Sequence, residues 1–227
     1  MIRIFGDCAD FQKMCEMGFK VSGWTTNPTL MRKSKVGDYK KFCQKVVAAF
    51  PTHPVSFEVF ADDFETMEAQ ARKISAWGTN VYVKIPVTTT KGYSCGPLIS
   101  RLAASGVKVN VTAVFCQDQI DEVFDALNTT AAIVSIFAGR IADTGRAPEA
   151  IINYALKKKD SPTHEILWAS PRQVMDVYVA DSMGCDIITC TPEIIDKIAL
   201  EGKNLKEYSR ETIQMFYDDA TKAGYSI

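Results

Sequence analysis

The chain has 227 residues, 47% hydrophobic and 23% charged, which is the composition of a globular protein long enough to bury a full apolar core. Its formal net charge is −1 and no apolar run is as long as a membrane span, so we predict neither a nucleic-acid partner nor a membrane partner. Seven cysteines without a C-x-x-C pair, and an amino-terminus without a signal-peptide core, predict reduced thiols and a cytoplasmic protein.

Short apolar segments recur along the chain at intervals of roughly 20 to 35 residues, about the length of a βα unit. They are rich in Val and Ile, as parallel strands covered on both faces are. We predict a strand in each of them. The segments are 2–7, 21–27, 55–61, 81–87, 107–114, 131–140, 165–170 and 185–190.

Between these segments the apolar residues follow a helical period. In the first of the clear examples Tyr39, Phe42 and Val46 fall on one face, with Asp38 near the start. Two others end at glycines, Gly78 and Gly184, which we expect to cap them. The four clearest predicted helices span 36–50, 62–78, 117–128 and 171–184.

Strands that alternate with helices predict an α/β protein in which helices cover a parallel sheet. An open doubly wound sheet and a closed (β/α)8 TIM barrel both fit this pattern, and the count of eight strands favours the barrel. An amphipathic stretch at 205–224 follows the eighth unit. We therefore predict one barrel domain over 1–227, with 205–227 as a C-terminal helical extension that covers the barrel or reaches a neighbouring subunit.

Polar side chains stand late in each predicted strand. In a barrel these strand ends share one rim, which is where the active site lies. Since side chains alternate along a strand, residues two apart face the same way, as Thr25 and Asn27 do. The polar strand-end residues are Asp7, Thr25, Asn27, Glu58, Lys84, Asn110, Thr112, Ser135, Ser170 and Thr189.

Lys84 interrupts the apolar segment "VYVKIPV". A buried ammonium group is unfavourable unless it is paired, neutralised or hydrated. The lysine either extends to solvent from the strand end or faces a polar barrel interior near Asp7 and Glu58. The polar residues at the other strand ends favour the second interpretation.

The other candidate residues also have purely structural interpretations. Asn27 in "TTNPT" suits a turn and a helix cap, Arg140 suits a surface ion pair, and Asp7 and Glu58 suit a loop cap and a structural ion pair. With two histidines, no Walker A sequence and no G-x-G-x-x-G, the chain lacks the usual signs of a zinc site or a nucleotide site. We expect neither a metal nor a cofactor.

Several segments resemble the transaldolase family, in the order in which that family carries them. They are "TTNPTL", "VYVKIPVT", "VNVTAVF", "SIFAGRIADTG" and "CDIITCTPEII". The resemblance covers most of residues 2–200, and the ordered set is far more specific than any one segment. It is closest to the small single-domain branch that also contains the fructose-6-phosphate aldolases.

The resemblance implies a role for each matching residue. Lys84 would form a Schiff base with the substrate, Asp7 would handle the proton of a substrate hydroxyl, and Glu58 and Thr112 would hold a water that moves protons. The implied substrate-binding residues are Thr25, Asn27, Asn110, Ser135 and Phe137, with Arg140 and Ser170 at the phosphate.

The implied function is a class I transaldolase of the pentose phosphate pathway. It would transfer a dihydroxyacetone unit from fructose 6-phosphate or sedoheptulose 7-phosphate to an aldose phosphate, and we expect a homo-oligomer. Glu58 and Phe137 resemble the transaldolases, whereas the aldolases carry Gln and Tyr at these positions. One departure is the short loop in "WASPRQV", where Arg172 is the candidate replacement for a missing basic residue. The alternatives are an aldolase that releases dihydroxyacetone, a change of substrate to an unphosphorylated sugar, and a non-enzymatic sugar-phosphate-binding barrel.

Overall fold

The computed structural model describes all residues 1–227. Eight parallel strands pair in chain order and close, because β8 pairs with β1, which confirms the predicted (β/α)8 barrel. The strands are β1 (Arg3–Asp7), β2 (Gly23–Thr25), β3 (Val55–Glu58), β4 (Val81–Pro86), β5 (Val109–Val114), β6 (Ala132–Ile136), β7 (His164–Trp168) and β8 (Ile187–Cys190).

Eleven α-helices and two 3-10 turns alternate with the strands. The 3-10 turns are Gly18–Lys20 and Ile198–Leu200. The helices are α1 (Phe11–Met17), α2 (Pro28–Lys33), α3 (Tyr39–Ala49), α4 (Phe64–Ser75), α5 (Gly96–Ala104), α6 (Gln117–Ala126), α7 (Ala138–Ala142), α8 (Glu149–Lys158), α9 (Met175–Met183), α10 (Pro192–Lys197) and α11 (Leu205–Ala223).

Local signals explain several of the helix ends. Asp38 caps α3 by accepting a hydrogen bond from the Lys41 amide, as its position predicted. Gly184 ends α9 in the left-handed conformation, at φ 83°, which glycine adopts without steric cost. The predicted cap at Gly78 was wrong, because α4 ends at Ser75. Gly78 instead lies against Val47, where a Cβ atom would be 2.7 Å from Cγ1.

Near the carboxyl ends of the strands, the bounds of two elements differ from the predicted ones. The segment 131–140 is a strand only as far as Ile136, after which α7 begins, so Arg140 lies on a short helix. The predicted helix over 171–184 begins at Met175, after an irregular stretch that starts with Ser170 in the left-handed region, at φ 59°. Both changes turn the chain at the rim of the barrel.

The chain divides into two compact units, Met1–Ile195 and Asp196–Ile227. The barrel lies in the first unit, and its interior contains an apolar cluster of Phe5, Ile133, Leu167, Ala169 and Ile187. The second unit contains α11, none of whose side chains is buried. No helix combines the length and the apolar character that a membrane span requires.

Candidate active site

A cavity of about 300 Å³ opens at the carboxyl ends of the barrel strands. This is the rim on which barrel enzymes carry their active sites. Polar side chains from several strands meet there, above the apolar cluster of the barrel interior. The predicted residues that line the cavity are Asp7, Thr25, Asn27, Glu58, Lys84, Thr112, Ser135, Phe137, Arg140 and Ser170.

Lys84 extends from β4 into this cavity and is 7% exposed. Its Nζ atom donates a hydrogen bond to the carbonyl oxygen of Thr26, at 3.0 Å, and lies 3.4 Å from Oε2 of Glu58. Glu58 stands directly beside Lys84 in the register of β3 and β4. The amine is therefore held inside the barrel, which excludes the interpretation that this lysine extends to solvent from the strand end.

Asp7 ends β1 and lines the same cavity as Lys84. Its Oδ1 atom accepts a hydrogen bond from the Thr25 hydroxyl, at 2.9 Å. Burial raises the pKa of Asp7 above its ordinary value, and the nearby Glu58 charge adds to that rise, while Lys84 and the Thr25 hydrogen bond oppose it. A carboxyl group with a raised pKa exchanges protons with a substrate more readily near neutral pH.

Thr112 lies on β5 opposite Pro86 of β4, two positions beyond the pairing of Asn110 with Lys84. Its hydroxyl is buried and has no hydrogen-bond partner within the chain. A buried polar atom without a partner is unfavourable, so this hydroxyl is suited to bind a group that enters the cavity. The next residue, Ala113, has a φ of 62° at an irregularity in β5, and such strained residues concentrate at functional sites.

Asn110 is fully buried and does not line the cavity. It accepts a hydrogen bond from the Ser135 hydroxyl at 2.7 Å and donates one to the Ser56 hydroxyl at 3.0 Å. These two bonds fix the orientation of its amide group. Asn110 therefore holds Ser135, which does line the cavity.

Arg140 and Ser170 line the side of the cavity formed by α7 and the segment after β7. The exposed guanidinium of Arg140 lies 5.2 Å from the centroid of the Phe137 ring. Gly139 brings the two segments together, because any Cβ atom at this position would overlap the carbonyl oxygen of Ser170. An arginine and a serine hydroxyl on the same cavity wall are suited to an anionic group such as a phosphate.

Arg172 does not line the cavity. Its side chain is exposed and pairs with Asp143, with Nε 3.0 Å from Oδ1. This pairing, together with the nearby Arg140 charge, holds the pKa of Asp143 below its ordinary range. Arg172 thus neutralises an acidic residue close to Arg140.

Asn27 combines both of its sequence-based interpretations. Its side chain caps α2 by accepting a hydrogen bond from the Leu30 amide, at 2.9 Å, and it also lines the cavity. The capping bond uses the carbonyl oxygen of the side chain. The amino group of the same side chain is a donor at the cavity wall.

Three contributors to the site were not given a role from the sequence. Thr189 was noted as a strand-end residue but received no role, and the structure places its hydroxyl 2.6 Å from that of Thr25. Ser56 precedes Glu58 by two residues and so shares its face of β3, a signal that strand alternation could have supplied. The carbonyl oxygen of Thr26 could not have been found, because side-chain patterns do not show where a backbone acceptor points.

Comparison with known proteins shows the family of the chain. Residues 4–227 match the family model described as Transaldolase/Fructose-6-phosphate aldolase. The chain is 36% identical to a probable transaldolase of Dehalococcoides mccartyi, over 86% of this chain and 88% of that protein. It is 34% identical to a probable transaldolase of Nitrosopumilus maritimus, over 87% of each.

Among solved structures, the fold is similar to that of 3-hexulose-6-phosphate synthase from Salmonella typhimurium. The TM-score is 0.61 at 14% identity, over 84% of this chain and 89% of the synthase. It is also similar to KGPDC from Streptococcus mutans, with a TM-score of 0.60 at 10% identity, over 84% and 88%. These two likenesses concern the barrel alone. The family match and the relatives go further, and they confirm the resemblance in the sequence: the chain belongs to the transaldolase/fructose-6-phosphate aldolase family.

Proposed function

We propose that this chain is a class I transaldolase that moves a dihydroxyacetone unit from a ketose phosphate to an aldose phosphate. The observation that carries the proposal is the buried amine of Lys84, 3.4 Å from the Glu58 carboxylate in a cavity that Asp7 shares. A sugar-binding scaffold would have no need to bury a primary amine beside a carboxylate in a cavity lined by a second carboxyl group. Family membership supports the same activity.

In the proposed reaction the neutral amine of Lys84 attacks the ketone carbon of the donor. Only the neutral form of a lysine amine is a nucleophile towards a carbonyl carbon. Loss of water then gives an iminium ion, with Glu58 and the unpartnered Thr112 hydroxyl placed to hold that water and move its protons. Fructose 6-phosphate and sedoheptulose 7-phosphate are the proposed donors.

Cleavage breaks the bond between the third and fourth carbons of the donor. The proton of the fourth hydroxyl passes to Asp7, the aldehyde leaves, and the electron pair of the broken bond forms an enamine on Lys84. When an acceptor aldose enters, the enamine carbon attacks its aldehyde and Asp7 returns the proton to the new hydroxyl. This attack forms the iminium ion of the product ketose, and its hydrolysis releases the product and restores the free lysine.

The phosphate of either sugar is proposed to bind Arg140 and the Ser170 hydroxyl, while Thr25, Asn27 and Ser135 face the sugar hydroxyls. Asn110 contributes through Ser135, and Arg172 contributes by neutralising Asp143. Phe137 offers no hydroxyl to the imine. We therefore favour transfer to an acceptor over direct release of dihydroxyacetone, the aldolase reaction that the same family contains.

Borohydride reduction in the presence of fructose 6-phosphate, followed by peptide mass mapping, tests the proposal. We expect a reduced adduct on the peptide that contains Lys84, none in Lys84→Met, and an unchanged adduct in Lys108→Met, whose lysine lies outside the cavity. An unmodified Lys84 in the wild-type protein would reject the proposal. Erythrose 4-phosphate as acceptor separates the two reactions, since a transaldolase releases little dihydroxyacetone without it.

A further inference from the structure

Three oxygen atoms form a continuous hydrogen-bonded chain across the interior face of β1. The Thr189 hydroxyl lies 2.6 Å from the Thr25 hydroxyl, which lies 2.9 Å from Oδ1 of Asp7. The two threonines are 6% and 3% exposed, and they reach β1 from the strands on its two sides, β8 and β2. Thr189 also lines the cavity.

Counting hydrogens fixes the direction of this chain when Asp7 is ionised. A carboxylate only accepts, so the Thr25 hydroxyl must use its single hydrogen in the bond to Asp7. A hydroxyl pair at 2.6 Å holds one hydrogen between its oxygens. That hydrogen must come from Thr189, because Thr25 has no second one to give.

Donation from Thr189 makes Thr25 a stronger donor, because hydrogen bonds in a chain polarise one another and a bond to a charged acceptor is the strongest of them. The bond from Thr25 in turn favours the ionised form of Asp7. Thr189 thus acts on Asp7 without touching it.

The other groups near Asp7 cannot replace this chain. Lys84 and Glu58 act on it through their charges, in opposite directions. The thiols of Cys8 and Cys190 are also near, and burial raises the pKa of both, to about 12 for Cys190, so each is neutral around pH 7. The Thr25 hydroxyl is the one side-chain hydrogen-bond donor to the Asp7 carboxylate.

We propose that Thr189 is a positioning residue, whose hydroxyl directs the Thr25 hydrogen onto Asp7 and so keeps this carboxylate ready to accept the proton of the substrate hydroxyl. The mechanistic part of this inference rests on the proposed function, since Asp7 takes that proton in carbon–carbon cleavage. The hydrogen-bond chain itself is a property of the free protein and can be tested without turnover.

NMR titration of carboxyl-labelled aspartate tests the chain, with the Asp7 signal assigned by its loss in Asp7→Asn. We expect Asp7 to titrate at a higher pH in Thr189→Val than in the wild type, and Thr189→Ser to restore the wild-type titration. Thr189→Ala provides a second deletion of the hydroxyl should the valine variant fold poorly. The matched control is Thr89→Val, another buried threonine whose hydroxyl bonds the Tyr93 amide outside the cavity, and it should leave Asp7 unchanged.

An Asp7 titration that stays in place in both deletion variants would overturn the inference. So would a movement to lower pH, because that sign means that Thr189 takes the Thr25 hydrogen away from Asp7 and does not supply its own. In turnover assays we expect kcat at pH 7 to fall about tenfold in Thr189→Val and to return in Thr189→Ser. A shifted titration with no lysine adduct would reject the proposed function alone, and an adduct with an unshifted titration would reject the Thr189 role alone.

Discussion

Asp7 sits where the requirements of stability and of chemistry oppose each other. Burial raises its pKa, so the folded protein holds this proton more tightly than the unfolded chain does. Its contribution to stability therefore falls as the pH rises above the ordinary value for aspartate, and it levels off above the raised pKa. The same carboxyl group is the proposed proton acceptor in the cleavage step.

We expect Asp7→Asn to lower kcat by about 10²- to 10⁴-fold, the usual contribution of a general acid or base. Its thermal midpoint should exceed that of the wild type by an amount that grows as the pH rises from about 4 towards neutral. Asparagine still accepts the hydrogen bond from Thr25, so only the charge is removed. Thermal unfolding at several pH values, with the exposed Asp219→Asn as control, checks this, and an advantage independent of pH would contradict it.

The two arginines near the phosphate side of the cavity differ in what they contact. Arg140 lines the cavity and makes no salt bridge, whereas Arg172 forms a salt bridge with Asp143. We expect Arg140→Ala to raise KM for fructose 6-phosphate at least tenfold, about the worth of a hydrogen bond between charged groups, and to leave an unphosphorylated donor almost unaffected. Arg172→Ala should raise the same KM less. Steady-state kinetics of both variants with both donors tests this prediction. A larger rise in KM in Arg172→Ala than in Arg140→Ala would assign the phosphate to Arg172.

At the scale of secondary structure, the hydrophobic period predicted which elements form, and Asp38 and Gly184 marked two helix ends, but several other ends were not predictable. The apolar character of 131–140 continues past Ile136, so the sequence alone did not show that the strand stops and α7 begins. That turn depends on the backbone of Gly139 lying against Ser170, a contact between segments far apart in the chain. The polar strand-end residues were predictable because they sit within periodic segments. The Thr189–Thr25 contact was not, because it depends on barrel closure.

Gly139 allows α7 to lie against the segment after β7. A Cβ atom there would overlap the carbonyl oxygen of Ser170, so Gly139→Ala must separate α7 from the segment after β7. We expect a loss of about 3 kcal/mol of stability, at the upper end of overpacking effects, and a higher KM for phosphorylated donors because Arg140 and Ser170 move apart.

Gly37→Ala is the matched control, since a Cβ atom at Gly37 meets nothing within 4 Å. Urea unfolding and steady-state kinetics of the two variants test the prediction. It fails if Gly139→Ala unfolds at the wild-type urea concentration, because the overlap would then have relaxed at no cost.

At the scale of the whole molecule, barrel closure brings the ends of the chain's first and last strands to one site. Asp7 on β1, Lys84 on β4 and Thr189 on β8 come from positions spread over most of the sequence, yet all three line one cavity. Each strand supplies one or two inward side chains at the same level of the barrel. The site is therefore as rigid as the sheet that carries it, which favours the fixed orientation of amine and carboxyl groups that the proposed reaction requires.

The surface of α11 has an exposed apolar patch. Ile213, Phe216 and Tyr217 are 65%, 62% and 67% exposed, and spacings of three and four residues place the last two beside Ile213 on the helix surface. An exposed apolar patch of this kind marks an interaction surface. We expect it to bind a second copy of the chain, in keeping with the homo-oligomer that the family resemblance implies.

Size-exclusion chromatography with light scattering should give the wild type a mass that is a multiple of the monomer. Ile213→Glu combined with Phe216→Glu should dissociate it, because two charges cannot be buried in an apolar interface without partners. Met215→Glu, a change to the same residue at an exposed position on another side of α11, two residues from Ile213, should leave the mass unchanged, and circular dichroism should show that both variants remain folded. A monomeric wild type, or a double variant that keeps the wild-type mass, would rule out α11 as the contact, because the apolar patch would then have no partner copy to cover it.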